Sequence, residues 1–437
     1  MKTVYFHIGT SKTGTSALQA FLEDNKDVLA EKGYFYERMP FQNLSRANIR
    51  RNAHFLVEKV MDENGSIDEA ATEERIQKGY QILDGWLQVY EAVILTDESF
   101  WNGMIGDHWN VLERLKLFLD ERNVVLKIIV YLRSQDEYMM SWWKQSVQSG
   151  KMTEAWDTFV EKPKGMRLNY RKQLKAFAEY VGAENMIVRR YDWGSFEGTT
   201  GTIFSDFLYA IGLEFTEEYQ VREKKVNLSL TDNYAEIKRV LNSLTKEEAV
   251  AYKNERNLFE KVAIECSKLQ QGDKSYSLYS AQEQEKIWKK YGKSNEVVRK
   301  TYFPNDKELF CNKLTEKEMW TKENPQMQED IIRYFGMIAL RQQQEMEQLQ
   351  KKFYDSFQRQ EVRIQKLDEK MQKQEARIQN QDAVIQQKSA QIQQLQAIIK
   401  QNKGELKALK IILKPIKWIW WKMNDIKKKF FGKDKTK

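Results

Sequence analysis

The sequence predicts an α/β fold: a P-loop-like parallel sheet flanked by helices, followed by a long coiled-coil helix. Three observations carry this. Short β-rich runs near residues 4–8, 92–95, 124–132 and 186–189 alternate with stretches of helical periodicity. The run at 124–132 is nearly all apolar, as a central parallel strand covered on both faces should be. From 364 onward, apolar residues recur at every seventh position.

At the start of the chain, Val4, Phe6 and Ile8 alternate with more polar neighbours, which reads as a short half-buried strand. Gly9 and Gly14 bracket a tight loop. Thr15 and Ser16 are N-cap residue types, and Ala17, Leu18, Phe21 and Leu22 follow with helical spacing, so one helix is expected through residue 30. A strand, a glycine-bracketed turn and a helix N-terminus gather free backbone N–H groups around one point, which suits a phosphate. Gly9 and Gly14 have Walker A spacing. Thr15, however, stands where a nucleotide triphosphatase carries its lysine, and the loop lysine is the earlier Lys12.

An extended segment is expected over 33–36. Residues 41–72 are polar and carry Arg46, Arg50, Arg51 and His54, a substrate-facing loop or helix. A helix over 74–87 has Ile76, Tyr80, Leu83 and Trp86 along one face. The strand at 92–95 ends in Thr96-Asp97-Glu98-Ser99, a helix covers 111–119, and the strand at 124–132 ends on Arg133. Helices over 136–148, 170–181 and 202–211 and a strand at 186–189 complete a sheet core of about 1–221. Ligands of such sheets bind beyond the carboxyl ends of the strands, where residues 9–14, 96–99 and Arg133 all fall. Residues 222–335 read as a mainly helical completion of the same domain, with turn signals at Gly272-Asp273, Gly292 and Pro304-Asn305.

Composition narrows the function. The chain has 437 residues, two cysteines (Cys266 and Cys311) and three histidines, which argues against a disulfide framework and zinc chemistry. The opening lacks a signal-peptide pattern and no apolar run approaches bilayer length, so a reducing cytoplasm is expected. The formal charge is +8, yet residues 407–437 alone hold eleven lysines against Asp425 and Asp434. The basic character thus belongs to one tail, and a nucleic-acid surface spread over the protein is not implied.

The loop order His-Ile-Gly-Thr-Ser-Lys-Thr-Gly-Thr-Ser, with Lys12 ahead of Gly14, resembles the 5′-phosphosulfate loop of sulfotransferases, in particular the bacterial carbohydrate-type branch. Arg133 ending a strand, with Ser141 eight residues on in the next helix, is similar to that family's reader of the donor 3′-phosphate. Asn227-Leu-Ser-Leu230 and Tyr302-Phe303…Leu309-Phe310 also resemble the family, so the likeness covers roughly 1–312. The resemblance implies the sulfotransferase fold, 3′-phosphoadenosine 5′-phosphosulfate as co-substrate, no metal, and a carbohydrate hydroxyl as acceptor. It implies that Lys12 stabilises charge on the bridging oxygen. Thr13, Gly14, Thr15 and Ser16 then hold the 5′-phosphate, while Arg133 and Ser141 hold the 3′-phosphate. Cytosolic relatives place a histidine base just past the strand that precedes the arginine strand, but here that place is 96–99 and has none. Carbohydrate sulfotransferases commonly use glutamate, so Glu98 is the first choice of general base, His54 the second and His7 the third, with Glu37 also open. A membrane-tethered scaffold with an inactive nucleotide-binding domain and a nucleotide kinase are the alternatives, the latter opposed by the loop order.

The domain is expected to end at about 335, with a coiled coil over 336–410. Ile364, Met371, Ile378, Ile385, Ile392, Ile399 and Leu406 fall seven apart. Leu367, Gln374, Gln381, Lys388, Leu395, Asn402 and Leu409 fill the companion positions. This predicts self-association, with dimer and trimer both open. Residues 411–437 place Ile412, Ile416, Ile419, Met423, Ile426 and Phe430 on one stripe, with Trp418, Trp420 and Trp421 and the lysines around it. A kink or restart is expected at Pro415. Such a segment suits an anionic membrane surface, here the inner face of the plasma membrane, with a helix packed on another protein as the alternative.

Overall fold

The computed structural model describes residues 1–41, 50–103, 107–192, 194–222, 229–244, 253–270, 276–401 and 406–431. The chain forms two compact units, Met1–Leu340 and Arg341–Lys437.

The first unit opens with β1 (Thr3–His7), α1 (Thr15–Asp24), α2 (Lys26–Glu31), β2 (Tyr34–Phe35), α3 (Glu69–Val89) and β3 (Ala92–Thr96). It continues through α4 (Ser99–Gly103), α5 (Asp107–Asp120), β4 (Val125–Leu132), α6 (Gln135–Gln148), α7 (Trp156–Glu161) and α8 (Tyr170–Val181). Then come β5 (Met186–Arg190), α9 (Ile203–Ala210), α10 (Asp232–Leu244), α11 (Lys253–Leu269) and α12 (Ala281–Tyr302).

Among the described residues the five strands form one sheet in the order β2-β3-β1-β4-β5, and every pairing is parallel. The fold class is therefore α/β, as expected. Alternation along the strands sends side chains to opposite faces. Val4, Phe6, Val93, Leu95, Ile128 and Val130 pack with α3, α5 and α8. Tyr5, Ile94, Ile129 and Tyr131 pack with α1, α2 and α9 on the other face.

This double cover corrects the half-buried strand expected at 4–8, since Val4 through Ile8 are all buried. The polar-looking positions Tyr5 and His7 face a second helical layer, and the sheet order puts β1 at the centre. Other local expectations shift as well. The helix expected over 17–30 breaks at Asn25, whose side-chain amide donates to the carbonyls of Phe21 and Gln220 at 2.8 Å each. The N-cap of α1 is Gly14 rather than Thr15 or Ser16, and it adopts a left-handed conformation without a side-chain cap. Gly292 marks no turn: it lies inside α12, which is capped by Ser280 and Glu283. The turn at 304–305 is present. Arg46, Asn227 and the Gly272-Asp273 signal lie outside the described residues.

Residues 230–340 with α6 and α7 build a second core. Tyr138, Met139, Trp143 and Val147 of α6 join Trp156, Tyr234, Val262, Tyr279 and Tyr334. The segment beyond α12 returns to the sheet, where Leu309 and Phe310 pack into its first face. α6 thus has one side in the helical core and another free to border the sheet's carboxyl edge.

The second unit holds most of α13 (Met327–Gln401) and α14 (Leu406–Phe431). The expected heptad helix is continuous. Lys427 of α14 meets Asp382 of α13 at 2.9 Å, so the last helix runs back along the one before it. Ile378, Ile385 and Ile392 are correspondingly half-buried, as are Ile416 and Met423. α14 passes through Pro415 without a break, in contrast to the expected restart. No helix among the described residues is long and apolar enough to cross a membrane.

Candidate functional site

Chain direction marks the place where a ligand fits. From β1 the chain crosses β3 to reach β2 at one edge, whereas from β4 it moves outward to β5 at the other. Loops leaving adjacent strands in opposite directions open a crevice at their carboxyl ends. The 8–14 loop and Arg133 flank that crevice.

The loop is stitched to β4 before it turns. Ile8 N donates to Ile129 O at 3.0 Å, Tyr131 N to Gly9 O at 2.8 Å, and Thr10 N to Tyr131 O at 3.0 Å. Thr13 is buried, and its hydroxyl closes the turn on Thr10 O at 2.6 Å. Gly9 has φ 108° and Gly14 φ 73°, values that favour glycine. A Cβ on Gly9 would sit 3.3 Å from Glu98 Cβ, and one on Gly14 would sit 3.0 Å from Ile203 and 3.1 Å from Tyr191. Lys12 itself is left-handed at φ 69°, a conformation costing a non-glycine residue about 1–3 kcal/mol. Strain of this size persists where the surrounding contacts over-determine it.

Those contacts come from α6. Arg133 Nε donates to Glu137 at 3.0 Å, Tyr138 shares a hydrogen bond with Ser11 at 3.1 Å, and Lys12 Nζ donates to Gln145 Oε1 at 2.9 Å. Residues 137, 141 and 145 follow one another at helical i, i+4 spacing, so Ser141 lies on the ridge between the Arg133 contact and the Lys12 contact. Arg133 also donates to Lys12 O at 3.2 Å, stacks over Tyr191 at 5.5 Å, and is steadied by Tyr170 OH on its carbonyl at 2.6 Å. Lys12, Arg133 and Ser141 are thereby brought together along one wall, with Thr15 and Ser16 in the first turn of α1.

The electrostatics of this wall are lopsided. Burial pushes the Lys12 ammonium down to about 8, Arg133 adds repulsion, and Glu98 acts in the opposite sense. The fixed partner of Lys12 is a neutral amide, and that of Arg133 is a carboxylate with 52% of its side chain exposed. Two cations held side by side in partial burial create a local positive potential that favours an anion.

Glu98 follows β3 and touches the loop through Gly9. Its carboxylate accepts from Gln19 Nε2 at 3.0 Å, and Gln19 also donates to Thr96 Oγ1 at 2.9 Å. Burial raises the Glu98 pKa, the neighbouring Asp97 raises it further, and Arg51 and Gln19 oppose the shift. Asp97 is itself buried against Arg51 at 3.1 Å. Arg51 is therefore part of a structural pair beneath the site. Gln19 was missed in the sequence: a glutamine on a helix carries no motif, and its role exists only once α1 lies against β3.

The two histidines behave differently. His7 is fully buried in β1 with Nδ1 3.3 Å from Thr96 Oγ1, and burial pulls its pKa down to about 3, so it stays neutral. His54 is also buried: Glu58 lies 2.9 Å from its Nδ1 while Arg75 binds the same carboxylate at 2.8 Å, and Phe41 packs edge-on. Its contacts are with that cluster rather than with the loop. Glu37 pairs with Lys26 at 2.6 Å. Among the described residues no group of three His, Cys, Asp or Glu side chains is arranged to hold a metal ion.

No protein-family profile and no solved structure matches the chain. It is 26% identical over 243 residues to an uncharacterized protein of Archaeoglobus fulgidus, an alignment that covers 55% of this chain and 61% of that protein's length.

Proposed function

We propose that the protein is a sulfotransferase that moves a sulfuryl group from 3′-phosphoadenosine 5′-phosphosulfate to a carbohydrate hydroxyl. The observation that carries this reading is the meeting of Lys12 and Arg133 just past two adjacent strands, with Lys12 bonded to a neutral amide and Arg133 to a largely exposed carboxylate. A donor with two separate phosphate ends satisfies both. The loop amides with Thr13, Gly14, Thr15 and Ser16 take the 5′-phosphate; Arg133 and Ser141 take the 3′-phosphate.

Transfer proceeds in line. The acceptor oxygen forms a new S–O bond as the S–O bond to the donor phosphate breaks, and the acceptor proton passes to Glu98. Lys12 stabilises the charge that builds on the bridging oxygen and the leaving phosphate. Glu98 suits the base role because burial and Asp97 raise its proton affinity while Gln19 fixes its direction. The closed contacts of His54 make it the weaker choice.

The tail supports a membrane-attached acceptor, such as a lipid-linked or growing surface polysaccharide reached from the cytoplasmic side. On α14, Trp418, Ile419, Trp420, Trp421 and Ile426 are each at least half exposed, with Lys417, Lys422 and Lys428 interleaved. Flotation with anionic liposomes should vanish when 411–437 are deleted; undiminished flotation would exclude this role.

Calorimetry with 3′-phosphoadenosine 5′-phosphate tests the donor assignment. Binding should be lost in Lys12→Ala and Arg133→Ala, and a preference of the native protein for ATP would overturn it. Transfer of labelled sulfate to glycan fractions then identifies the acceptor.

A further inference from the structure

We infer that two copies of the chain pair through α13 in parallel and in register, over residues 353–377, and that the chain's own last helix ends the pairing near Asp382. The inference is independent of the sulfuryl reading.

The heptad seam divides into two parts. Phe353, Phe357, Ile364, Leu367 and Met371 are at least half exposed. Further along the same seam Ile378, Ile385 and Ile392 are half-buried, and the Lys427–Asp382 contact shows what lies over them. The second part is thus occupied within the chain, and the first is an apolar stripe without a cover in this unit.

Charge specifies the occupant. Glu361, Asp368, Glu375 and Asp382 are seven apart and all acidic; Arg363, Lys370 and Arg377 are seven apart and all basic. The two rows flank the seam at the positions that follow and precede it, the e and g positions of the heptad. In a parallel pair without stagger, each g residue faces the e residue five positions further along the partner. That sets Arg363 against Asp368, Lys370 against Glu375, and Arg377 against Asp382. All three contacts are attractive, in both directions. An antiparallel pair instead sets basic row on basic row and acidic on acidic.

Beyond 382 the rows lose their charge, with Ser389 and Gln396 on one and Val384 and Gln391 on the other. The intermolecular code stops where α14 begins to cover the seam, and Asp382 is the residue both would use. Ile364 at the first seam position with Leu367 at its companion favours two strands over three.

The test uses the full chain. A Cys311→Ser background carrying Ile364→Cys should form a disulfide-linked dimer on mild oxidation, and sedimentation should give twice the chain mass for the unmodified protein. One variant reverses the basic row (Arg363→Glu with Lys370→Glu), and another reverses the acidic row (Asp368→Lys with Glu375→Lys). Each alone should self-associate at least tenfold more weakly than the native chain, and an equimolar mixture should restore the dimer, with unchanged helix content by circular dichroism. A native monomer or trimer, no cross-link at 364, or reversed variants that still self-associate would overturn the proposal.

Discussion

Arg133 and Arg189 both stand at the carboxyl edge of the sheet, one just past β4 and the other within β5, yet they are built for opposite ends. Arg189 is closed on itself. Asp206, which is fully buried, takes both Nε and Nη2, and Tyr131 OH and Glu197 N complete that carboxylate at 2.6 and 2.7 Å. Arg133 meets a carboxylate that is half exposed, Glu137, together with a carbonyl and the Tyr191 ring, and a second cation, Lys12, lies close enough to repel it. A buried charge with its counter-ion in place is architecture. A half-buried cation beside a second one favours an anion between them.

The contrast breaks most clearly on substitution. Arg189→Ala leaves Asp206 buried and unpaired, so it should cost about 3–5 kcal/mol of stability in denaturant unfolding. Arg133→Ala removes an exposed pair and should cost about 1 kcal/mol or less, while weakening 3′-phosphoadenosine 5′-phosphate binding by at least about a hundredfold, the scale of losing two charge-assisted hydrogen bonds. Equal stability losses, or unchanged binding, would erase the distinction.

A second difference lies in pH. Lys12 titrates near 8 in the free protein, and a bound anion raises that value. The charged form binds, so affinity should fall about tenfold per unit above pH 8 until the bound-state value is reached. Lys12→Arg should remove the slope. A slope that survives Lys12→Arg would place the anion elsewhere.

The smallest effect concerns Glu98. It must be ionised to accept a proton, and its pKa is raised, so the acid limb of the transfer rate should lie above the usual carboxylate range near 4.3. Gln19 hydrogen-bonds the charged form and lowers that value. Gln19→Leu should therefore move the limb further up. A limb that stays fixed in Gln19→Leu but disappears in Glu98→Gln would separate positioning from base strength.

The 9–14 loop was legible because its signals are local: two glycines at positive φ, a lysine between them, and helical spacing directly after. Arg133 and Ser141 were legible as one strand end and one helical interval. The Gln19–Glu98 contact, the Arg51–Asp97 pair and the closed cluster around His54 were not, since each joins residues from elements whose mutual placement no short pattern encodes. The same holds for His7, whose neutrality comes from a second helical layer over β1 rather than from any neighbour in sequence.

By itself, the sequence determined the alternation of strands and helices, the phosphate-type turn and the heptad rows of α13, because backbone propensity and side-chain periodicity act within a few residues. Tertiary structure alone decided which cations have a buried counter-ion bonded to them, which carboxylate is desolvated, and that α14 lies back over the end of the seam. Those are properties of distance and burial, and they exist only after the helices have packed.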